Sequence, residues 1–189
     1  MKKMIHETGY WNRQFAEKHH IHSPNLSNFI INFLSQEKET FIYDLGCGLG
    51  DYLKDLKNSG YTKLLGVEVD PLIKHDDIQV RKFNLTESLV LNEKGNIISL
   101  EVGEHIPSNF QEIYLDNITK NCKKYLIISW AIRGQGGYGH VNELNNEEIL
   151  PMIINRGFKL LEEETKKARL CVEPFCRYFS NTIFIFEKI

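Results

Sequence analysis

Tyr43-Asp44-Leu45-Gly46-Cys47-Gly48-Leu49-Gly50-Asp51 decides how this chain folds. A short apolar run, Phe41 to Tyr43, leads into an acid and then into three glycines at alternate positions. The run reads as a buried parallel strand and the glycines as the turn that follows it. Glycine lets the backbone reverse sharply and lets a ligand approach without a Cβ in the way. Tyr52 to Ser59 is compatible with a helix, so the turn opens one. Strand, glycine turn and helix in this order predict the start of an α/β core with a site for a nucleoside-like ligand.

The chain has 189 residues, 42% of them hydrophobic, which suits one domain with a full core. With 23 basic and 25 acidic residues its formal charge is −2, unlike the strongly basic footprint of a general nucleic-acid binder. Cys47, Cys122, Cys171 and Cys176 are scattered and form no C-x-x-C pair, so reduced thiols in a cytoplasmic protein are expected, without zinc. No apolar run approaches the roughly 20 residues of a membrane span, so no membrane association is expected. The N-terminus turns polar at once and lacks the apolar core of a signal peptide.

Residues 1–189 read as a single domain: a helical arm or lid over 1–37 and an α/β core over 38–189. The arm carries Tyr10, Trp11, His19, His20 and His22. Trp11 is expected either to cover the cofactor or to pack against the sheet edge, and the three histidines are expected to be polar surface. Leu26, Phe29, Ile30 and Phe33 recur at helical spacing. Further strands are expected over 63–68, 78–83, 95–101 and 125–130, and an amphipathic helix over 110–122. Asn145 is a helix cap with Glu148 as its capping-box partner, and Gly157 stands where that helix stops. Two late strands, 169–173 and 182–186, are expected to pair antiparallel at the sheet's end. Alternating strands and helices predict a doubly wound, mostly parallel seven-stranded sheet with that terminal antiparallel hairpin. Ligands on such sheets bind beyond the carboxyl ends of the strands.

Asp44-x-Gly46-x-Gly48-x-Gly50 does not have the G-x-G-x-x-G spacing of dinucleotide binders. It resembles motif I of class I S-adenosylmethionine-dependent methyltransferases, over roughly residues 40–130. The resemblance implies a Rossmann-like fold and a cofactor site including Asp44, Gly46, Cys47, Gly48 and Gly50. Gly66-Val67-Glu68 is similar to the end of that family's second strand, where an acid receives both ribose hydroxyls; an acceptor-only carboxylate suits two O–H donors. Asn84, followed by Leu85, stands where the family usually has an Asp that holds the adenine amino group; its carbonyl oxygen is able to accept the same bond. Trp11 and Glu101 complete the cofactor-side residues.

Directly after the fourth strand comes Glu101-Val102-Gly103-Glu104-His105. Two carboxylates and an imidazole at one strand end suit Mg²⁺ or Mn²⁺ better than zinc. The loop Gly134-Gln135-Gly136-Gly137-Tyr138-Gly139-His140 offers a fourth ligand just beyond the fifth strand. Glu101, Glu104, His105 and His140 together resemble the metal site of small-RNA 3′-end 2′-O-methyltransferases and of ubiquinone-pathway catechol O-methyltransferases. The 130–142 segment is also similar to small methyltransferases of phages and large DNA viruses. The resemblance implies S-adenosylmethionine as cofactor, a divalent cation, and Glu104, His105 and His140 as catalytic residues. A cation would acidify a coordinated hydroxyl, as it does a bound water; alternatively a histidine is a general base, with His105 the metal-free candidate, or Glu-His is purely structural.

The lid and loops are short, so a small-molecule or glycan hydroxyl is the expected acceptor. An RNA 3′ end is less favoured, because near-neutral charge argues against long phosphate contacts. Arg133 is placed to touch an anionic acceptor and Trp130 either lines the acceptor pocket or belongs to the core. The rival readings are a metal-independent small-molecule or RNA-end methyltransferase and a non-catalytic S-adenosylmethionine-binding partner subunit. The sequence is silent on oligomeric state.

Overall fold

The computed structural model describes residues 6, 9, 11–70 and 75–189; Tyr10 and Pro71 lie outside them. Among the described residues no helix is long and apolar enough to cross a membrane.

Seven strands form one sheet in the order β3-β2-β1-β4-β5-β7-β6. They are β1 Ile42–Leu45, β2 Leu64–Glu68, β3 Val80–Lys82, β4 Gly95–Ser99, β5 Cys122–Ser129, β6 Phe158–Leu160 and β7 Ile183–Lys188. β1 to β5 pair in parallel, whereas β7 runs antiparallel between β5 and β6. The helices are α1 Arg13–His19, α2 Pro24–Phe33, α3 Asp51–Asn58, α4 Gln111–Lys120, α5 Asn146–Ile154, α6 Glu162–Cys171 and α7 Phe179–Thr182.

Strand side chains alternate between faces, and both faces are covered. In β5, Leu126 and Ile128 join Tyr114, Ile118, Ile149 and Ile153 of α4 and α5 on one side. Ile127 joins Leu26, Ile30, Leu53, Leu56 and Ala168 of α2, α3 and α6 on the other. The helix α2 is therefore one of the covering layer, and the described part of the arm that reaches the ligand end is α1 with Gly9 and Trp11.

Helix α5 starts as its cap predicts: the Glu148 carboxylate accepts the Asn145 backbone N–H at 2.9 Å. The antiparallel end of the sheet is present, but residues 169–173 are not its strand. Residues 169–171 finish α6, 172 and 173 follow it, and β6 is the earlier Phe158–Leu160. The sequence 162–169 explains this: three glutamates fill the first turn and Arg169 the last, both favourable to the helix dipole. Its buried residues Thr165 and Ala168 are small enough to let α6 lie close on β7, and the Thr165 hydroxyl accepts the Ile185 amide.

Candidate active site

The parallel strands all end at one edge, and a cleft opens there. Its wall takes Gly46 and Gly48 from the turn after β1, Glu68 and Val69 from β2, and Phe83 to Leu85 after β3. Leu100 to Val102, His105 and Ile106 follow β4, and residues 135–138 with His140 follow β5. Trp11, Ala16, His19 and His20 close it from the arm.

The glycine turn does what its spacing implies. Gly46, Gly48 and Gly50 all take positive φ, at 83°, 52° and 78°. A Cβ on Gly46 would come within 2.5 Å of Val102, and one on Gly48 within 2.5 Å of His20. Glu68 braces the turn by accepting the Gly48 amide at 3.0 Å and the Val69 amide at 2.8 Å. Burial raises its pKa; those two amides work against the shift. Cys47 and Asp44 do not line the cleft. Cys47 packs its sulfur over Gly66 of β2, and burial, reinforced by Asp44 and Glu68, keeps the thiol protonated. Gly50 sits outside the wall too, as the left-handed residue before α3. Leu85 lines the cleft. The Asn84 carbonyl oxygen accepts the Thr86 amide at 3.0 Å and its hydroxyl at 2.9 Å, a closed Asx-type turn. An adenine amino group would therefore have to share that oxygen.

Asp44 is 3% exposed, and burial, with the Glu68 charge behind it, lifts its pKa to about 8. The unfolded chain ionises this group near 4. Between those values the folded state holds a proton that the unfolded state has lost, so stability falls as pH rises, by at most about 1.4 kcal/mol per pH unit. Asp44→Asn removes this dependence. Thermal melts of the ligand-free protein are expected to show the variant gaining on wild type from pH 5 to pH 8. A difference that stays constant over that range would mean Asp44 is ionised throughout.

Beyond β4 the chain makes an abrupt turn. Glu101 is the sole non-glycine with positive φ among the described residues, at 53°, a conformation costing about 1–3 kcal/mol. Its amide donates to Ser129 Oγ at 2.7 Å, and its carboxylate accepts from Gln135 Nε2 at 3.3 Å and Thr182 Oγ1 at 3.4 Å. The next turn is a short 3₁₀ segment, Gly103–His105. It presents Glu104 inward and His105 to the cleft. The Glu104 carbonyl then accepts the amides of Val141 at 2.9 Å and Asn142 at 3.0 Å. These two bonds tie the segment after β4 to the loop after β5 and bring His140 alongside.

Glu104, His105 and His140 thereby place one ligand atom each within 4.8 Å of one another. Glu104 is fully buried, and neither carboxylate oxygen has a hydrogen-bond partner among the described residues. The nearest His140 nitrogen, Nε2, is 4.0 Å from Oε1. Burial first, and the Glu101 charge second, raise the Glu104 pKa well above the usual carboxylate range; the nearby Ala131 amide favours the charge without making a hydrogen bond of ordinary geometry. Glu101 is raised as well, chiefly by burial. Two buried carboxylates in mutual contact, with no donor between them, need either a shared proton or a cation. Burial and the neighbouring His140 lower the His105 pKa to about 4, so its ring is neutral near pH 7. Its Nδ1 lies 3.2 Å from the Gly139 carbonyl, which fixes the ring by one nitrogen. His140 is held likewise, Nδ1 at 2.8 Å from Glu143 Oε1.

A divalent cation fits this donor set. The orphaned buried carboxylate supplies charge, and two neutral-capable imidazoles, each anchored through its other nitrogen, supply the rest; imidazole favours Mn²⁺ over Mg²⁺. Three of the expected four ligands are gathered. Glu101 is the outer member, in contact with Glu104 but held by Gln135 and Thr182.

The arm differs from expectation. His19 and His20 line the cleft rather than open surface, and His22 faces Asp55 at 3.1 Å. Trp11 donates from Nε1 to the Tyr138 carbonyl at 3.2 Å and meets the His105 ring edge-on at 5.4 Å. Phe15 and His19 pack on the Tyr138 ring. Arm and glycine-rich loop thus form one roof. Trp130 belongs to the core at 0% exposure, with its indole N–H donating to the Asn142 carbonyl at 2.7 Å. Arg133 pairs with Glu148 through two bonds of 2.8 and 2.9 Å, which leaves it committed rather than poised for an acceptor.

No protein-family model matches the sequence, and no curated protein is significantly similar to it. Solved structures do match. The sugar N-methyltransferase KedS8 from Streptoalloteichus sp ATCC 53650 superposes with a TM-score of 0.70 at 11% identity, over 100% of this chain and 96% of its own. The magnesium protoporphyrin IX methyltransferase ChlM from Synechocystis PCC 6803, with bound SAM, gives 0.63 at 15% identity over 86% and 78%. The methyltransferase domain of bacterial CtHen1-CN gives 0.61 at 14% over 87% and 98%. At such identities the likeness is one of fold, and the fold of this chain is that of the class I S-adenosylmethionine-dependent methyltransferases.

Proposed function

We propose that this chain transfers a methyl group from S-adenosylmethionine to a hydroxyl oxygen of a small molecule or glycan, assisted by a divalent cation. The observation that carries the reading is the buried, unpartnered Glu104 carboxylate between two imidazoles on the cleft side of β4 and β5. The cofactor supplies an electrophilic methyl on a sulfonium. A cation on Glu104, His105 and His140, with Glu101 behind, would lower the pKa of an acceptor hydroxyl.

The chain's own residues do the positioning. Gly46 and Gly48 have no side chain in the way, so a ligand can come close to the turn, and Glu68 would present a carboxylate to the ribose hydroxyls. Trp11, docked on Tyr138, shields the cleft from water. Neutral His105 keeps its Nε2 lone pair free at neutral pH. Holding both reactants in line accounts for most of the acceleration such a site gives.

A metal-free general base is the second reading, and His140 is its candidate: a histidine oriented by a carboxylate through Nδ1 is a familiar base arrangement. His105, with a pKa near 4, is too weak a base for neutral pH. Labelled methyl transfer across sugars, catechols and short RNA 3′ ends separates the readings. Transfer to a hydroxyl acceptor is expected to fall at least about tenfold with chelator and to return with Mn²⁺. A rate indifferent to chelator would favour the base, and transfer confined to RNA ends would change the acceptor class. Cofactor binding without transfer to any acceptor would point to a silent subunit.

A further inference from the structure

Glu143 lies three residues past His140 on the loop before α5, and its carboxylate gathers three contacts. Oε2 accepts the Gly134 amide at 2.8 Å; Oε1 accepts the Gly136 amide at 2.8 Å and meets His140 Nδ1 at 2.8 Å. The first two bonds fold the glycine-rich loop back on itself. The third fixes the ring of the residue at the loop's far end. Burial opposes the charge on Glu143, but the His140 bond and the two amides outweigh it and hold its pKa below the usual range.

We propose that Glu143 is the positioning residue of the cation site: it orders the glycine-rich loop and locks His140 as the Nδ1–H tautomer, so that Nε2 is the nitrogen presented to Glu104. The anionic carboxylate accepts only, so the atom facing it must carry the proton, and Nε2 is left with its lone pair. Nε2 is also the His140 nitrogen nearer Glu104. A metal-ligating histidine characteristically donates its other ring N–H to such a carboxylate. The same three contacts make loop order and ligand orientation one event: the loop that roofs the cleft through Tyr138 cannot open at Gly134 and Gly136 without loosening His140. The role in cation affinity rests on the function proposed above; the role in ring orientation does not.

The test compares the full chain with its Glu143→Gln and Glu143→Ala variants by two measurements. Nitrogen-15 NMR of the histidine side chains, without metal, reads the tautomer. Wild type is expected to show His140 protonated at Nδ1, and both variants a tautomer mixture with faster amide exchange at Gly134 and Gly136. An unchanged His140 tautomer in the variants overturns the proposal. Mn²⁺ titration followed by electron paramagnetic resonance reads affinity, expected to fall about 10–100-fold in the variants. Equal affinity in wild type and variants overturns the proposal. If wild type binds no Mn²⁺ while the tautomer still unlocks in the variants, the cation reading fails and the positioning of His140 stands. Far-UV circular dichroism of both variants should match wild type, since Glu143 is on a loop and outside all three core clusters.

Discussion

Glu104→Gln is expected to raise the melting temperature of the metal-free protein while abolishing cation binding and methyl transfer. The two effects have one cause. Glu104 is fully buried, no described donor reaches either oxygen, and the Glu101 carboxylate adds to its discomfort. A buried polar group left without a partner costs about 1–3 kcal/mol, more when charged. Glutamine keeps the shape, carries no charge and can donate an N–H to Glu101. For a chain of this length, 1 kcal/mol moves the melting temperature by roughly 2–4 °C, so a gain of about 5 °C is expected by scanning calorimetry. Losing an outer partner of a metal ligand costs about 10–100-fold; losing the ligand's own charge should cost more in both Mn²⁺ affinity and turnover. A variant that melts lower than wild type would mean that Glu104 is stabilised by a contact absent from this structure. One that transfers methyl normally would remove the carboxylate from the reaction.

The sequence made one half of the site plain because its signals are local. Gly46, Gly48 and Gly50 need left-handed or unobstructed backbone, and that need is written in the residues themselves. Glu68 falls at a strand end set by the apolar run before it. Glu101, Glu104 and His105 are near neighbours in the chain, so a short turn is enough to collect them. What stayed hidden is set by distant contacts. Glu143 sits in a polar loop where nothing nearby separates it from an ordinary solvated acid; only folding places Gly134, Gly136 and His140 around it. Trp11 and His19 meet Tyr138 only after the arm crosses the cleft. Asn84 stands in the chain where an adenine acceptor is expected, but its own turn already uses that oxygen. The few apolar residues of 169–173 mimic a strand. The charge gradient from Glu162 to Arg169 and the small face of Thr165 and Ala168 instead carry a helix through Cys171.

Gly103→Ala is expected to be strongly destabilising and to disturb the site as well. Gly103 opens the 3₁₀ turn that presents Glu104 and His105. A Cβ there would lie 2.2 to 2.5 Å from three atoms of the Trp130 ring. That ring has no easy way to yield. It is fully buried, packs edge-on against Tyr114 at 5.6 Å and is pinned by its hydrogen bond to the Asn142 carbonyl. Overpacking a core costs typically about 1–3 kcal/mol, and a ring held on every side belongs at the upper end, roughly 6–12 °C in melting temperature. The damage should also reach the chemistry. Asn142 is joined to the Glu104 carbonyl, so a ring displaced by the new methyl pulls on the strap that aligns His140 with Glu104. Trp130→Ala in the same chain takes away the ring atoms that the new methyl would meet. The double variant is therefore expected to be more stable than the sum of the single changes predicts, a coupling that a thermodynamic cycle measures directly. Additive losses would show that Gly103 and Trp130 act independently, and a Gly103→Ala protein that melts like wild type would show that the turn has room the geometry denies it.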